Sequence, residues 1–244
     1  MNTPQSKKAR VEAGLETDRE LYVVNDFNTI PVSELHLMFG GIHEWLATIL
    51  KHKVMRKQTP PAYAIELGRL TKGDAQHISK RILKRFDDLR DRFARLNFFP
   101  SFYATFPVIG PHSAAMMAIS RRDGQIHGFA CQSITQIDGK IHDQGYFGYR
   151  TWLEGDTVIE TLSNTTLPAA SKVVDRIIVS SDDLDIVLKR HRERIRKKEI
   201  RSVRSNELFE LTDELNRREI KDWAKRGVIR RASSGEVARI RKHG

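Results

Sequence analysis

Two Asp-Gly pairs between β-prone runs constrain the fold of this chain more than any other feature. A type I′ hairpin turn needs positive φ at both central residues, and Asp123-Gly124 and Asp138-Gly139 meet that need. Gly155-Asp156 supplies a third turn of the same family. The predicted strands form an antiparallel meander over 113–121, 125–137, 140–152 and 156–163.

The central turn also predicts how the second and third strands pair. If this turn has two residues, Ile137 faces Lys140, and residues whose numbers add to 277 stand opposite one another. His127 and His142 then lie far apart on the sheet, so we expect no shared metal ion. Because the alternation of the second strand drifts, we expect a bulge or bend near Gly128.

Helical periodicity precedes the meander. Apolar residues recur at spacings of three and four after Pro31 and again from about Asp74 to Leu96, which predicts two stretches of helix with an apolar face. Phe98-Phe99-Pro100 marks the change to extended structure. The apolar positions are Leu35, Phe39, Ile42, Leu46 and Ile49 in the first stretch, and Ile78, Ile82, Phe86, Leu89, Phe93 and Leu96 in the second.

Further helices are predicted after the meander. Ser181 is a suitable N-cap for the first and Ser205 for the second, and Gly227 is placed to end the second. A short third helix begins at Ser234. The chain is therefore predicted to be an α+β protein with N-terminal helices, a central antiparallel β-meander of four to five strands and a basic C-terminal helical hairpin. The expected parts are a flexible arm over 1–20, a helical part over 21–100, the β-meander over 101–180 and the basic helical region over 181–244.

Positive charge is concentrated in the last quarter of the chain. The formal net charge is +11, and ten of these eleven charges lie from Lys189 onward. Such a block attracts polyanions. The apolar side of the first C-terminal helix must face the body, so its outward basic residues are expected to contact phosphates; a solvated face with local ion pairs is the alternative. The expected phosphate contacts are Arg190, Arg194, Lys197, Lys198 and Arg201.

One face of the third strand presents aromatic and hydrogen-bonding groups by strict alternation. Such an open face can stack nucleic-acid bases, so Tyr146 and Arg150 are further candidate nucleic-acid contacts. The same face, with His142, is the candidate pocket of an enzyme or small-ligand-binding protein. A third interpretation is the water-facing side of an ordinary sheet.

Several classes of chemistry lack support in the sequence. The chain contains no G-x-S-x-G elbow, Walker loop or dinucleotide-binding G-x-G-x-x-G, and its single cysteine, Cys131, has no intramolecular partner. No apolar run approaches 18 residues, so we expect no membrane partner. We expect no metal, no cofactor, and a cytoplasmic location, or a nuclear one if Lys7-Lys8-x-Arg10 serves as an import signal.

The charge pattern makes nucleic-acid binding the leading functional hypothesis. In it the protein is not an enzyme; it contacts the phosphate backbone of RNA or single-stranded DNA, as a component of a nucleoprotein assembly. The first alternative is the enzyme or small-ligand-binding protein that uses the polar sheet face. The second is a structural protein that forms homo-oligomers through its C-terminal helices.

Overall fold

A seven-stranded β-sheet lies at the centre of the molecule. The computed structural model describes residues 21–23, 32, 46–55, 64–110, 112–137, 140–165 and 170–243. The predicted arm over 1–20 and most of the helix predicted after Pro31 lie outside the described residues. The architecture is α+β, as predicted.

The strands form a large mixed sheet and a small one. In chain order they are β1 (Leu21–Val23), β2 (Ala64–Glu66), β3 (Thr71–Gly73), β4 (Phe99–Thr105), β5 (Val108–Ile109), β6 (His112–Ser120), β7 (His127–Ile137), β8 (Lys140–Trp152), β9 (Val158–Leu162), β10 (Val174–Ile178) and β11 (Arg230–Arg231). The large sheet has the order β10-β9-β8-β7-β6-β4-β3 and the small one β11-β1-β2-β5. Neighbours in the large sheet are antiparallel except β9 and β10, which are parallel.

Four α-helices have both ends within the described residues, and shorter helical pieces lie at 32 and 46–48. The four are α1 (Lys80–Arg95), α2 (Leu184–Ile195), α3 (Ser205–Lys225) and α4 (Ser234–His243), accompanied by a π-helix over Ile49–Val54 and a 3-10 turn over Ala75–His77. Helix α1 begins after the predicted Asp74, because the Ser79 hydroxyl accepts a hydrogen bond from Ile82 N and caps the helix there. The apolar stripe predicted for this helix is confirmed, since its residues join one core cluster.

The predicted meander and its central register are confirmed. Ile137 pairs with Lys140, and His127 pairs with Arg150. The bulge expected at Gly128 is wrong, since pairing with both neighbouring strands continues across it without a shift. Space at this position is tight, because a Cβ atom would lie 2.8 Å from the side chain of Ile119 and that side chain would have to shift.

The three predicted turns have different outcomes. The first is not a type I′ turn on Asp123-Gly124: it starts at Arg121, whose O accepts from Gly124 N at 3.1 Å, and of that Asp-Gly pair Gly124 alone has positive φ, at 65°. The second, Asp138-Gly139, lies outside the described residues. The third is confirmed as a primed-type turn, because Gly155 and Asp156 have φ of 83° and 63°.

Helices cover both faces of the large sheet. Helices α1 and α2 pack on the face that presents Phe147 and Tyr149, whereas α3 packs on the opposite face, which presents Phe129 and Trp152. The C-terminal helices α2 and α3 therefore enclose the sheet instead of packing on each other as a hairpin. This arrangement places the basic segment between them at one end of the sheet.

The small sheet joins distant parts of the chain. Strand β1 pairs with β11 on one side and β2 on the other, and apolar residues of β2 pack against the end of α3 and against α4. The region 21–100, expected to be helical, thus also contains β1, β2, β3 and the start of β4.

The helix caps follow the prediction in part. Asp183, not Ser181, caps α2, since its carboxylate accepts from Asp185 N at 2.8 Å. Arg204, not Ser205, precedes α3, and its N–H donates to the Glu207 carboxylate at 3.1 Å. Gly227 ends α3 with φ of 74°, as predicted.

Candidate functional site

The segment 196–204, which links α2 to α3, crosses one end of the large sheet. Arg201 N donates to Trp152 O over 3.0 Å, and Val203 N donates to Gly124 O over 2.9 Å. These bonds attach it to the loops that connect β8 to β9 and β6 to β7. We name the three segments 121–124, 153–157 and 196–204 the cationic end.

Basic side chains outnumber acidic ones seven to four at the cationic end. Lys197 and Lys198 are exposed, and neither makes an ion pair with any residue that the structure describes. Arg201 is half-buried, with its guanidinium 4.0 Å from the Asp156 carboxylate. Arg121 pairs with Asp123 at 3.2 Å. The remaining basic side chains, all exposed, are Arg122, Arg196 and Arg204.

The two predicted contacts on α2 lie apart from this surface. Arg194, expected to point outward, turns toward the sheet and is only 13% exposed. Its guanidinium donates to Asp175 O over 2.7 Å and to the Thr161 hydroxyl over 3.0 Å, and it pairs with the Asp175 carboxylate. Burial lowers the pKa of Arg194. Arg190 is exposed and pairs with Glu193 at 3.0 Å.

Helix α3 covers the part of the predicted base-stacking face that carries Tyr146 and Arg150. Arg150 is buried, and its Nε donates to a Glu160 carboxylate oxygen over 2.6 Å. Its guanidinium also lies over the Phe129 ring, 4.6 Å from the centroid. Tyr146 packs edge-on against the same ring. His142 lies exposed near the other end of β8, so the candidate pocket residues are not brought together.

A buried charge network occupies the space between this face and α3. Arg176 joins two carboxylates, with its Nη2 atom 2.6 Å from both Glu160 and Glu219. Burial opposes ionisation of Glu160, but Arg150 and Arg176 outweigh it and hold its pKa below the ordinary value. At Glu219 burial prevails over Arg176 and raises the pKa. The network is chemically suited to position α3 on the sheet.

Sequence reasoning missed this network, although the chain carries a signal for it. Polar residues recur on one side of α3 at helical spacings of three and four, on the same side as apolar core residues. A helix with such a stripe needs polar partners on the surface that it covers. The buried polar residues of this stripe are Thr212, Asp213 and Glu219, and Asn216 lies among them half-buried.

The buried histidines are neutral structural groups. The imidazole of His127 lies between the Ser120 hydroxyl and Gly124 O, and burial lowers its pKa to about 4. His191 lies between two threonine hydroxyls, and burial lowers its pKa to about 3. Burial also raises the pKa of the Cys131 thiol to about 11, which keeps it protonated at neutral pH. Within the described ranges, His, Cys, Asp and Glu residues form no group of three or more suited to a metal ion.

Comparisons with known proteins give no relative on which to base a function. No protein-family model, no curated protein and no solved structure matches this chain. Among the residues with described structure, no helix combines the length and the apolar content needed to cross a membrane.

Proposed function

We propose that this protein is a non-enzymatic nucleic-acid-binding protein whose cationic end contacts the phosphate backbone of RNA or single-stranded DNA. The observation that carries the proposal is the exposure of Lys197 and Lys198, side by side and without an ion-pair partner in the described part of the chain. Lysine and arginine side chains that remain uncompensated on a surface are available to replace the counterions of a polyanion.

The backbone beneath these lysines is held in place. The Ser202 hydroxyl donates to Asp123 O over 2.9 Å, and a Cβ atom on Gly124 would lie only 2.7 Å from Val203 O. The linking segment and the 121–124 loop are therefore tightly packed on each other. A surface fixed in this way loses less conformational entropy when it binds.

One exposed aromatic ring beside the cationic end favours a single strand. Phe99 is 43% exposed and pairs with Ser120, the residue that precedes the 121–124 loop. The Arg122 guanidinium lies 5.2 Å from the centre of this ring. An unpaired base can stack on such a ring, whereas a base within a duplex cannot reach it. With Tyr146 and Arg150 covered by α3, we assign the phosphate contacts to Lys197, Lys198 and Arg201.

Fluorescence anisotropy with a labelled single-stranded RNA of mixed sequence tests the proposal. The double variant Lys197→Glu/Lys198→Glu should raise the Kd at least about tenfold, or about 1.4 kcal/mol. The matched control Lys140→Glu/Lys221→Glu makes the same charge change at two exposed lysines remote from the cationic end, one at the far end of β8 and one near the end of α3, and should leave the Kd within about twofold.

Two results would overturn the proposal. One is the absence of binding by the unmodified protein at low salt, to RNA and to DNA of the same sequence. The other is an equal loss of affinity in both double variants, which would show that RNA affinity depends on the net charge of the protein and not on the cationic end.

A further inference from the structure

Strand β10 forms an open edge of the large sheet. Val173 O accepts from Val158 N and Val179 N donates to Leu162 O, both over 2.8 Å, so the odd-numbered residues direct their backbone groups toward β9. Because backbone groups alternate along a parallel strand, the N–H and C=O groups of Arg176 and Ile178 point outward, away from β9. No other strand of the described residues lies on that side.

An apolar groove runs beside this edge. It has a volume of about 500 Å³ and lies between the end of β10 and the adjacent side of α2. Ile178 and Ile186, which line it, are 44% and 52% exposed. An exposed strand edge with large apolar side chains is a site at which another strand adds to a sheet.

The charges of α2 indicate what occupies the groove. Acidic residues lie at the start of the helix and basic residues follow Ile186, so the exposed isoleucine separates two regions of opposite sign. Two copies of α2 that cross in antiparallel orientation near this residue place each acidic end against a basic one. The acidic residues are Asp182, Asp183 and Asp185, and the basic ones are Lys189, Arg190 and Arg192, among which Glu193 pairs with Arg190 and leaves the second region positive.

We propose that two copies of this chain join through the outer edges of β10. The two strands pair antiparallel about a two-fold axis, which makes one continuous sheet, and the two α2 helices pack around Ile186 on the same face. A self-complementary surface of this kind is what an isologous dimer requires. The inference is independent of nucleic-acid binding, since neither Lys197 nor Lys198 takes part.

Light scattering coupled to gel filtration, over a range of protein concentrations, tests whether the protein forms a dimer in solution. The unmodified protein should reach twice the chain mass of 28.1 kDa at high concentration. The variant Ile178→Lys/Ile186→Lys should remain at one chain mass, because two added charges would be buried against their copies. The control Ile141→Lys changes an isoleucine of equal exposure on the β8 hairpin and should behave as the unmodified protein.

A cysteine at the proposed axis tests the geometry. Oxidised Ile186→Cys should form a covalent dimer on a non-reducing gel, and Ile141→Cys should not. An unmodified protein that stays at one chain mass at every concentration would overturn the inference. So would a lysine variant at the edge that still dimerises, or equal crosslinking of both cysteine variants.

Discussion

Glu160 illustrates how a strand residue can organise the interior of this protein. One of its carboxylate oxygens pairs with Arg150 and the other with Arg176, in the buried space between the sheet and α3. Leaving the Arg150 guanidinium unpaired there would lower the free energy of unfolding by about 3–5 kcal/mol, by analogy with other buried ion pairs. Arg150 is therefore committed to the fold and is not available to a ligand.

The polar surface of β8 shows why residue environment was harder to predict than residue position. The Asp138-Gly139 spacing predicts that Arg150 stands opposite His127, and the structure confirms it. Whether that face meets water or a helix depends on contacts with α3, some sixty residues later in the chain. Alternation along one strand carries no information about such a distant partner.

His191 should make stability depend on pH. Its pKa falls from an ordinary 6.5 to about 3 in the folded protein, chiefly by burial, with a further effect of Arg194. Between these two pH values the imidazole is protonated in the unfolded chain but not in the folded protein. The contribution of His191 to the free energy of unfolding is therefore greatest above pH 6.5 and decreases as the pH falls below it. The slope is about 1.4 kcal/mol per pH unit for one such group.

The variant His191→Gln tests this dependence by urea denaturation at pH 7 and pH 5. The loss of stability between the two pH values should be smaller than in the unmodified protein by about 2 kcal/mol. Ile141→Gln, which changes an exposed side chain that does not titrate, should keep the unmodified dependence. Identical pH dependence in all three proteins would contradict the account of His191.

The pairing of β8 with β9 depends on a close approach at Gly148. A Cβ atom there would lie 2.6 Å from the Leu162 side chain and 2.8 Å from Thr161 O. Because the carbonyl belongs to the backbone of β9, it cannot move without disturbing the β8–β9 pairing. Gly148→Ala should lower the free energy of unfolding by about 1–3 kcal/mol.

A second glycine supplies the control for this substitution. Gly235 lies in the first turn of α4, where an added Cβ atom would have no described neighbour within 4 Å. Gly235→Ala should therefore leave stability unchanged or raise it by up to about 1 kcal/mol. Urea unfolding followed by tryptophan fluorescence measures both variants. Equal stability of the two would show that the approach at Gly148 imposes no constraint.

Elements specified by local signals were predictable, and those specified by distant pairing were not. Turn residues and alternation locate β6 to β9, although the turn between β6 and β7 is of another type than predicted, and helical periodicity locates α1. Strand β10 pairs parallel to β9, which no turn residue signals, and β1 pairs with β11 from the other end of the chain. The C-terminal helices were located correctly, but their opposite faces on the sheet depend on long-range packing.

At the scale of the whole molecule, two surfaces lie at different ends of one edge strand. β10 begins at Val174, opposite Val158, which follows the 153–157 loop of the cationic end. Ile178, in the apolar groove, lies at the other end of the strand. Joining two copies through the groove therefore leaves both cationic ends open to a phosphate polymer.

The salt dependence of RNA affinity tests the central claim most directly. The logarithm of the association constant, plotted against the logarithm of salt concentration, should fall with a slope of about −2, since each contact to a single strand contributes about −0.7 and three are assigned. The slope of Lys197→Glu/Lys198→Glu should be shallower by at least about 1.4. A slope near zero, or the same slope in both proteins, would contradict the assignment of the cationic end as the phosphate-binding surface.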